Sequence, residues 1–312
     1  MKIAVAQINT TVGDWAGNEG RIRAAYARGV AAGADLVVVP ELAIPGYPPR
    51  DLLLRRGFVE ANLAVLDRLR QATGRTGLLV GYVDWNRRMP GRNLANAVAL
   101  LHEGRVLARR TKTLLPSYDV FDEDRYFEPA QENAPVRYLG RALGLTICED
   151  LWNDEGFWQD RRYRRDPVAD LVAAGADLLC NLSASPWHLG KNRVRHAMLA
   201  SLAAKSRCPL VYCNLVGGND ELVFDGCSRV LTADGVLVAR GRRFEEDFMV
   251  VDPDAGSAVK EDLGSDEEKL HGALVLGLRD YLGKCGVKSV VLGLSGGIDS
   301  ALTACLAAEA VG

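Results

Sequence analysis

An α/β layer structure, with two sheets face to face and helices outside, is the fold class this sequence predicts. Apolar strand-like runs alternate with alanine-rich helical stretches over most of the chain. One phrase also occurs twice, as AGADLVVVPEL at Ala32–Leu42 and AGADLLCNLSA at Ala174–Ala184. Each copy reads as helix end, AGAD and strand, so the chain divides into two similar halves. The composition then changes at DPDAGSAVKEDLGSDEEK (Asp252–Lys269), a polar, acidic, glycine-bearing stretch of linker type. The expected organisation is a domain over 1–252, a linker over 253–269 and the start of a second domain over 270–312.

In order, Lys2–Asn9 is an alternating apolar strand and Asn18–Ala32 an alanine-rich helix that Gly33 ends. Asp35–Pro40 is a wholly apolar strand with Glu41 directly after it, and AIPGYPP is turn material. Phe58–Ala72 carries helical apolar spacing, Gly77–Val83 is a strand, and Leu94–Leu101 and Arg105–Thr111 flank a hairpin-like turn. Pro116–Asn133 is polar and without period, the length of a functional loop. Leu143–Cys148, Asp177–Ser183, Pro209–Val216, Cys227–Thr232, Val236–Arg240 and Asp247–Val251 read as strands, with helices at Asp166–Ala174 and Lys191–Arg207. Past the linker come a helix over Leu270–Lys284, a parallel-type strand over Lys288–Leu294, then a glycine turn and a final helix.

The 312 residues are 48% hydrophobic and 25% charged, enough apolar material for a sizeable core. The formal charge of −2 offers no bulk attraction for nucleic acid or an acidic membrane. The amino terminus shows no signal-peptide pattern, no run is long enough to span a membrane, and no metal is expected. Seven scattered cysteines without a CxxC spacing point to reduced thiols and a cytoplasmic location.

Three reactive residue types fall at three strand ends. Cys148 ends the run LGLTIC, Glu41 follows DLVVVP, and Lys112 follows the strand Arg105–Thr111. Strand carboxyl ends are where open sheets place their chemistry. A thiol with a pKa of about 8.5 is only a few per cent thiolate at neutral pH and needs a base. A desolvated glutamate can act as base and then as acid. A lysine can hold a tetrahedral oxyanion. The alternatives at this level are a buried structural cysteine, a helix-capping glutamate and a lysine on a wet strand.

PEL (Pro40–Leu42), TKTLLP (Thr111–Pro116) and ICEDLW (Ile147–Trp152) resemble the nitrilase, or carbon–nitrogen hydrolase, superfamily. The resemblance covers roughly residues 1–252. It implies a four-layer αββα sandwich and a Glu-Lys-Cys catalytic set at Glu41, Lys112 and Cys148. SYDVFDEDRYF (Ser117–Phe127) and SASPWHLGKNRVR (Ser183–Arg195) are similar to the glutaminase domains of NAD+ synthetases. That similarity implies glutamine contacts at Tyr118, Ser185 and Lys191 and a supporting acid at Glu123. A zwitterionic amino acid needs donors for its carboxylate and acceptors for its ammonium, and a lysine and a hydroxyl meet the first need. Phe121 and Trp152 fit pocket lining and core packing equally well.

Leu292, Gly293, Leu294, Ser295, Gly296, Gly297, Ile298, Asp299 and Ser300 form a strand–turn–helix phrase, LGLSGGIDS. Its glycines allow close backbone approach, and the helix start offers free N–H groups to an anion. It lacks the Walker and dinucleotide patterns. SGGIDS resembles the pyrophosphate loop of ATP pyrophosphatases, which implies the first part of a Rossmann-like domain, with Asp299 near the phosphates through Mg2+. The whole resemblance implies glutamine-dependent NAD+ synthesis, with a Cys148 thioester releasing ammonia for ATP-dependent amidation of nicotinic acid adenine dinucleotide. The glutaminase half needs no cofactor. A homo-oligomer is implied at full length, and this chain by itself is at most a glutaminase. The alternatives are a stand-alone amidase acting on another small amide and a non-catalytic binding subunit.

Overall fold

The computed structural model describes residues 1–88, 90–261 and 264–312. The first half contains β1 (Ile3–Gln7), α1 (Trp15–Ala31), β2 (Leu36–Val38), α2 (Arg56–Ala72), β3 (Gly77–Trp85), β4 (Leu94–His102) and β5 (Arg105–Thr111). The second half contains β6 (Val136–Tyr138), β7 (Arg141–Ile147), α3 (Pro167–Ala173), β8 (Leu178–Ser183), α4 (Lys191–Ser206) and β9 (Leu210–Asn214). It continues with β10 (Val216–Asn219), β11 (Leu222–Asp225), β12 (Arg229–Leu231), β13 (Leu237–Arg240) and β14 (Asp247–Val251), and α5 (Asp266–Lys284) and α6 (Ile298–Val311) follow.

Two six-stranded sheets form, in the orders β14-β1-β2-β3-β4-β5 and β13-β12-β9-β8-β7-β6, with β10 and β11 as a separate ribbon. The strand period of two sorts each strand into faces. Ile3, Val5, Leu36 and Val38 meet Leu143, Leu145, Leu178 and Leu182 in one core between the sheets. Ala4, Ala6, Val37 and Val39 turn outward onto Ile22, Val65 and Leu69 of α1 and α2. Leu179, Leu210 and Tyr212 turn outward onto Leu171, Met198 and Leu202 of α3 and α4. Each fully buried aliphatic side chain contributes about 1.5–3 kcal/mol, so these three cores hold the four-layer αββα order together. The second sheet sits on the first with its β7–β8–β9 parallel run matching β1–β2–β3.

The repeated phrase does the same work twice. Asp35 Oδ2 accepts from Lys2 N at 2.8 Å, and Asp177 Oδ1 accepts from Ala142 N at 3.0 Å. In both halves the aspartate ties the start of its strand to the neighbouring one. Gly33 and Gly175 provide the positive φ, +68° and +88°, that turns helix into strand.

Several expectations need correction. β6, β10 and β11 were not expected from the sequence; they are only three or four residues long and too short to show a period. Lys288–Leu294 is not a strand: its backbone pairs with nothing among the described residues and Val291 is fully exposed. A strand exists only against a partner, and among the described residues no second strand lies beside it. The last part of the expected linker is helical, because Ser265 and Glu268 form a reciprocal capping box that starts α5 at Asp266. Asp262 and Leu263 of that linker lie outside the described residues. The preceding segment is anchored to the second sheet, with Val259 N donating to Leu237 O at 2.8 Å and Arg229 Nη2 to Glu261 Oε1 at 2.7 Å. α5 is docked as well, since Asp280 accepts from Asn9 Nδ2 and Gly218 N, both at 2.7 Å. No helix among the described residues is long and apolar enough to cross a membrane.

Candidate active site

β7 delivers Cys148 to the carboxyl end of the second sheet, as its apolar run predicts. The chain then turns at once: Cys148 has φ +41° and opens a 3-10 turn over Cys148–Leu151. A non-glycine residue in that region is strained and needs its surroundings to hold it. Asp150 does so. Its Oδ2 accepts from Ile147 N at 3.0 Å, and its Oδ1 accepts from Thr113 N at 2.9 Å and Leu114 N at 2.8 Å. One buried carboxylate therefore fastens the cysteine turn to the segment that begins with Lys112.

Glu41 reaches the same point from the first sheet. Gly81 on β3 makes this possible, because a Cβ there would lie 2.3 Å from Leu42 N and 2.6 Å from Pro40 O. The Glu41 carboxylate is buried. Its Oε1 accepts from Lys112 Nζ at 2.8 Å and Asn96 Nδ2 at 2.7 Å, and its Oε2 accepts from Ala184 N at 2.8 Å. Glu41 is the last but one residue of the first copy of the repeated phrase and Ala184 the last of the second, so the two halves of the fold meet at this hydrogen bond. Lys112 Nζ also donates to both oxygens of Glu123 at 2.8 Å, and Tyr47 OH donates to Glu123 Oε1 at 3.0 Å.

The cluster is buried, and its charges respond to that. Burial, reinforced by the Glu41 carboxylate, pushes the Cys148 thiol well above its ordinary range against the pull of Lys112. The thiol is thus protonated at rest and needs a base at the moment of attack. Burial works against the Lys112 ammonium, but Glu123 and Glu41 outweigh it and hold the group above the usual lysine range. Burial raises Glu123 to about 7 despite Lys112.

A carboxyl raised by folding binds its proton more tightly in the folded chain. Its contribution to stability is full below pH 4.5 and is lost as pH rises through about 7. Glu123→Gln cannot titrate. Between those pH values its melting temperature should gain on that of the wild type, with little relative change outside them. Parallel melting curves across that range would remove Glu123 from the titrating cluster.

Tyr118 and Lys191, two of the residues expected to contact glutamine, lie near enough to Cys148 to feel its charge. Tyr118 OH donates to Glu149 Oε1 at 2.8 Å, and Tyr163 OH donates to the same oxygen at 3.1 Å. The Arg162 guanidinium covers the Tyr118 ring at 3.9 Å, and Phe121 meets that ring edge-on at 5.6 Å. Lys191 opens α4; its Nζ donates to Pro186 O at 2.8 Å and lies 5.3 Å from the Trp152 ring centroid. It makes no ion pair among the described residues, and burial, with Arg195 adding to it, lowers its pKa. Trp152 stacks in turn on Trp158 at 5.9 Å. Ser185 is buried, and its N–H donates to Asn214 Oδ1 at 2.9 Å. Asn214 Nδ2 reaches Asp225 Oδ1 at 3.3 Å, and Asp225 forms a two-point pair with Arg195 of α4 at 3.0 and 2.5 Å. Ser185 thus stands on a buried polar network that reaches α4, the helix that Lys191 opens.

Sequence reasoning missed Asn96, Glu149, Asp150 and Tyr163. Glu149 and Asp150 were visible as the acidic pair after the cysteine, and Asn96 as a polar interruption of LANAVALL. Their partners lie up to 55 residues away, which no local pattern reveals.

The loop Leu292–Ser300 lies on the surface beyond α5. Ser300 Oγ donates to Gly297 O at 3.0 Å and lies 3.1 Å from Ser295 Oγ, and Gly296 has φ +86°. The first turn of α6 faces outward with its amide groups, a geometry that suits a phosphate. Asp299 is exposed in that turn. No group of His, Cys, Asp and Glu among the described residues is arranged to hold a metal ion.

A four-layer sandwich with a buried carboxylate–ammonium pair beside a strand-end thiol has the architecture of a thiol-dependent hydrolase. The carbon–nitrogen hydrolase family matches residues 2–260, and the chain belongs to that family. The NAD synthase family matches residues 270–312. A glutamine-dependent NAD(+) synthetase from Synechocystis sp. is 43% identical over 99% of this chain and 57% of its own length. Its counterpart from Thermotoga maritima is 38% identical over 100% of this chain and 58% of its own length. The chain therefore spans little more than half the length of these curated relatives. Among solved structures, glutamine-dependent NAD+ synthetase from Acinetobacter baumannii in complex with ADP superposes with TM-score 0.90 at 32% identity, over 100% of this chain and 57% of that one. An amidase from Nesterenkonia sp. AN1, with acrylamide added at its active-site cysteine, superposes with TM-score 0.67 at 26% identity, over 81% and 92%.

Proposed function

We propose that this chain is the glutaminase part of a glutamine-dependent NAD+ synthetase. It frees ammonia from L-glutamine through a thioester on Cys148, for ATP-dependent amidation of nicotinic acid adenine dinucleotide to NAD+. The observation that carries this reading is a pair of opposite charges near Cys148, the buried Glu149 and the half-buried Lys191. Glu149 offers an acceptor for an ammonium, and Lys191, without a counter-ion among the described residues, offers a donor for a carboxylate. A free amino acid presents both groups; a neutral amide presents neither.

The residues then have these roles. Glu41 takes the thiol proton while sulfur attacks the side-chain carbonyl of glutamine. Lys112 stabilises the oxyanion; one of its N–H groups can serve both Glu123 oxygens, which leaves another for the substrate oxygen. Glu41 returns the proton to the departing nitrogen, and ammonia leaves. Water activated by Glu41 then cleaves the γ-glutamyl thioester. Tyr118 orients Glu149, and Ser185 and Lys191 hold the α-carboxylate. Leu292–Ser300 is suited to hold the pyrophosphate of ATP, which supplies the adenylation of the acid substrate; Asp299 offers one carboxylate to an accompanying Mg2+. Seven free thiols suit a reducing cytoplasm. A homo-oligomer is the expected assembly of the full-length protein.

Lys191→Ala tests the substrate. A charge-assisted hydrogen bond contributes about 1.5–3 kcal/mol, so kcat/KM for glutamine should fall roughly ten- to a hundredfold. Turnover of an amide lacking the α-carboxylate should hardly change. Equal losses on both substrates, or none, would return the reading to a stand-alone amidase.

A further inference from the structure

We infer that Asn96 selects Glu41 Oε2 as the atom that receives the Cys148 proton, which makes Asn96 a positioning residue of the site. A carboxylate oxygen has two lone-pair directions. Both on Oε1 are taken, by Lys112 Nζ at 2.8 Å and Asn96 Nδ2 at 2.7 Å. Oε2 has one donor, Ala184 N at 2.8 Å. The free direction on the carboxylate is therefore on Oε2.

The orientation of the Asn96 amide follows from chemistry, since a carboxylate only accepts and must face the NH2 group. Its other end shows that it is not present for packing. Asn96 is 1% exposed, and its Oδ1 has no hydrogen-bond partner among the described residues. A buried unpaired amide oxygen is destabilising, and leucine would avoid it. The Asn96 backbone carbonyl also accepts from Lys112 N at 2.8 Å, so one residue sets the positions of both the base and the ammonium.

The step balances simply. The S–H bond of Cys148 breaks and an O–H bond forms on Glu41 Oε2. The S–H electron pair stays on sulfur and makes the bond to the carbonyl carbon, whose π pair moves to oxygen beside Lys112. The titratable groups that act on Glu41 from the surrounding elements are Lys112, Glu123, Tyr47 and Cys148.

This inference rests on the glutaminase reading, but its test does not need glutamine. The rate of Cys148 alkylation by iodoacetamide is followed against pH in wild type, Asn96→Leu and Asn96→Asp. Loss of one charge-assisted donor should move the acid limb of the Asn96→Leu profile up by about one pH unit. Glutamine turnover should fall about ten- to a hundredfold beside it. Asn96→Asp keeps the shape of the residue and donates only while protonated, so its alkylation rate should fall as pH rises where that of the wild type climbs. Profiles that coincide with wild type in both variants, with the fold intact by circular dichroism, would overturn the role of Asn96. A wild-type chain that alkylates normally but never turns over glutamine would overturn the glutaminase reading instead.

Discussion

Lys112→Met should cost both activity and stability heavily. The ammonium lies among Glu41 and Glu123 with no solvent access, at 2.8 Å from three carboxylate oxygens. Removing one partner of a buried ion pair costs about 3–5 kcal/mol, because the remaining charge has neither water nor a counter-ion. Loss of a well-placed oxyanion donor lowers turnover by about 10²–10³. The two effects can be separated. Adding Glu123→Gln to Lys112→Met removes one of the two orphaned acids and should restore part of the lost stability, measured by urea unfolding, without restoring turnover. Lys112→Arg should not rescue, since a planar guanidinium does not fit a site shaped for a compact ammonium. A loss of less than tenfold for Lys112→Met would take the lysine out of the chemistry.

Cys148→Ala should reduce glutamine hydrolysis to background and leave the fold in place. Among the described residues the thiol makes no hydrogen bond on which the turn depends; the turn is held by Asp150 and its three backbone donors. In a longer chain with a whole synthetase domain, NAD+ formation from added ammonia should survive this substitution, and formation from glutamine should not. The reason is spatial. Cys148 is buried at the sheet ends of the sandwich, whereas the Ser295–Ser300 loop lies on the surface beyond α5. Loss of the ammonia-driven reaction in a folded variant would overturn the assignment of two separate sites.

Much of this was legible in the chain alone. Period-two and continuous apolar runs placed the main strands, and the twice-used AGAD phrase announced the two halves. Glu41, Lys112 and Cys148 stood out because each reactive type follows directly on an apolar run, and sheet strands deliver such residues to one edge. What the sequence by itself determined, then, was a set of strand ends and the groups they carry. Only the tertiary structure decided which of those groups meet. Asn96 on Glu41, Asp150 on Thr113 and Leu114, and the Tyr118–Glu149 contact join residues 55, 37, 36 and 31 positions apart. Such pairs depend on sheet order and on how the two sheets stack, neither of which local periodicity encodes. The same reason accounts for Lys288–Leu294. Its composition is that of a strand, but a strand is a relation between two segments, and among the described residues no second segment lies beside it.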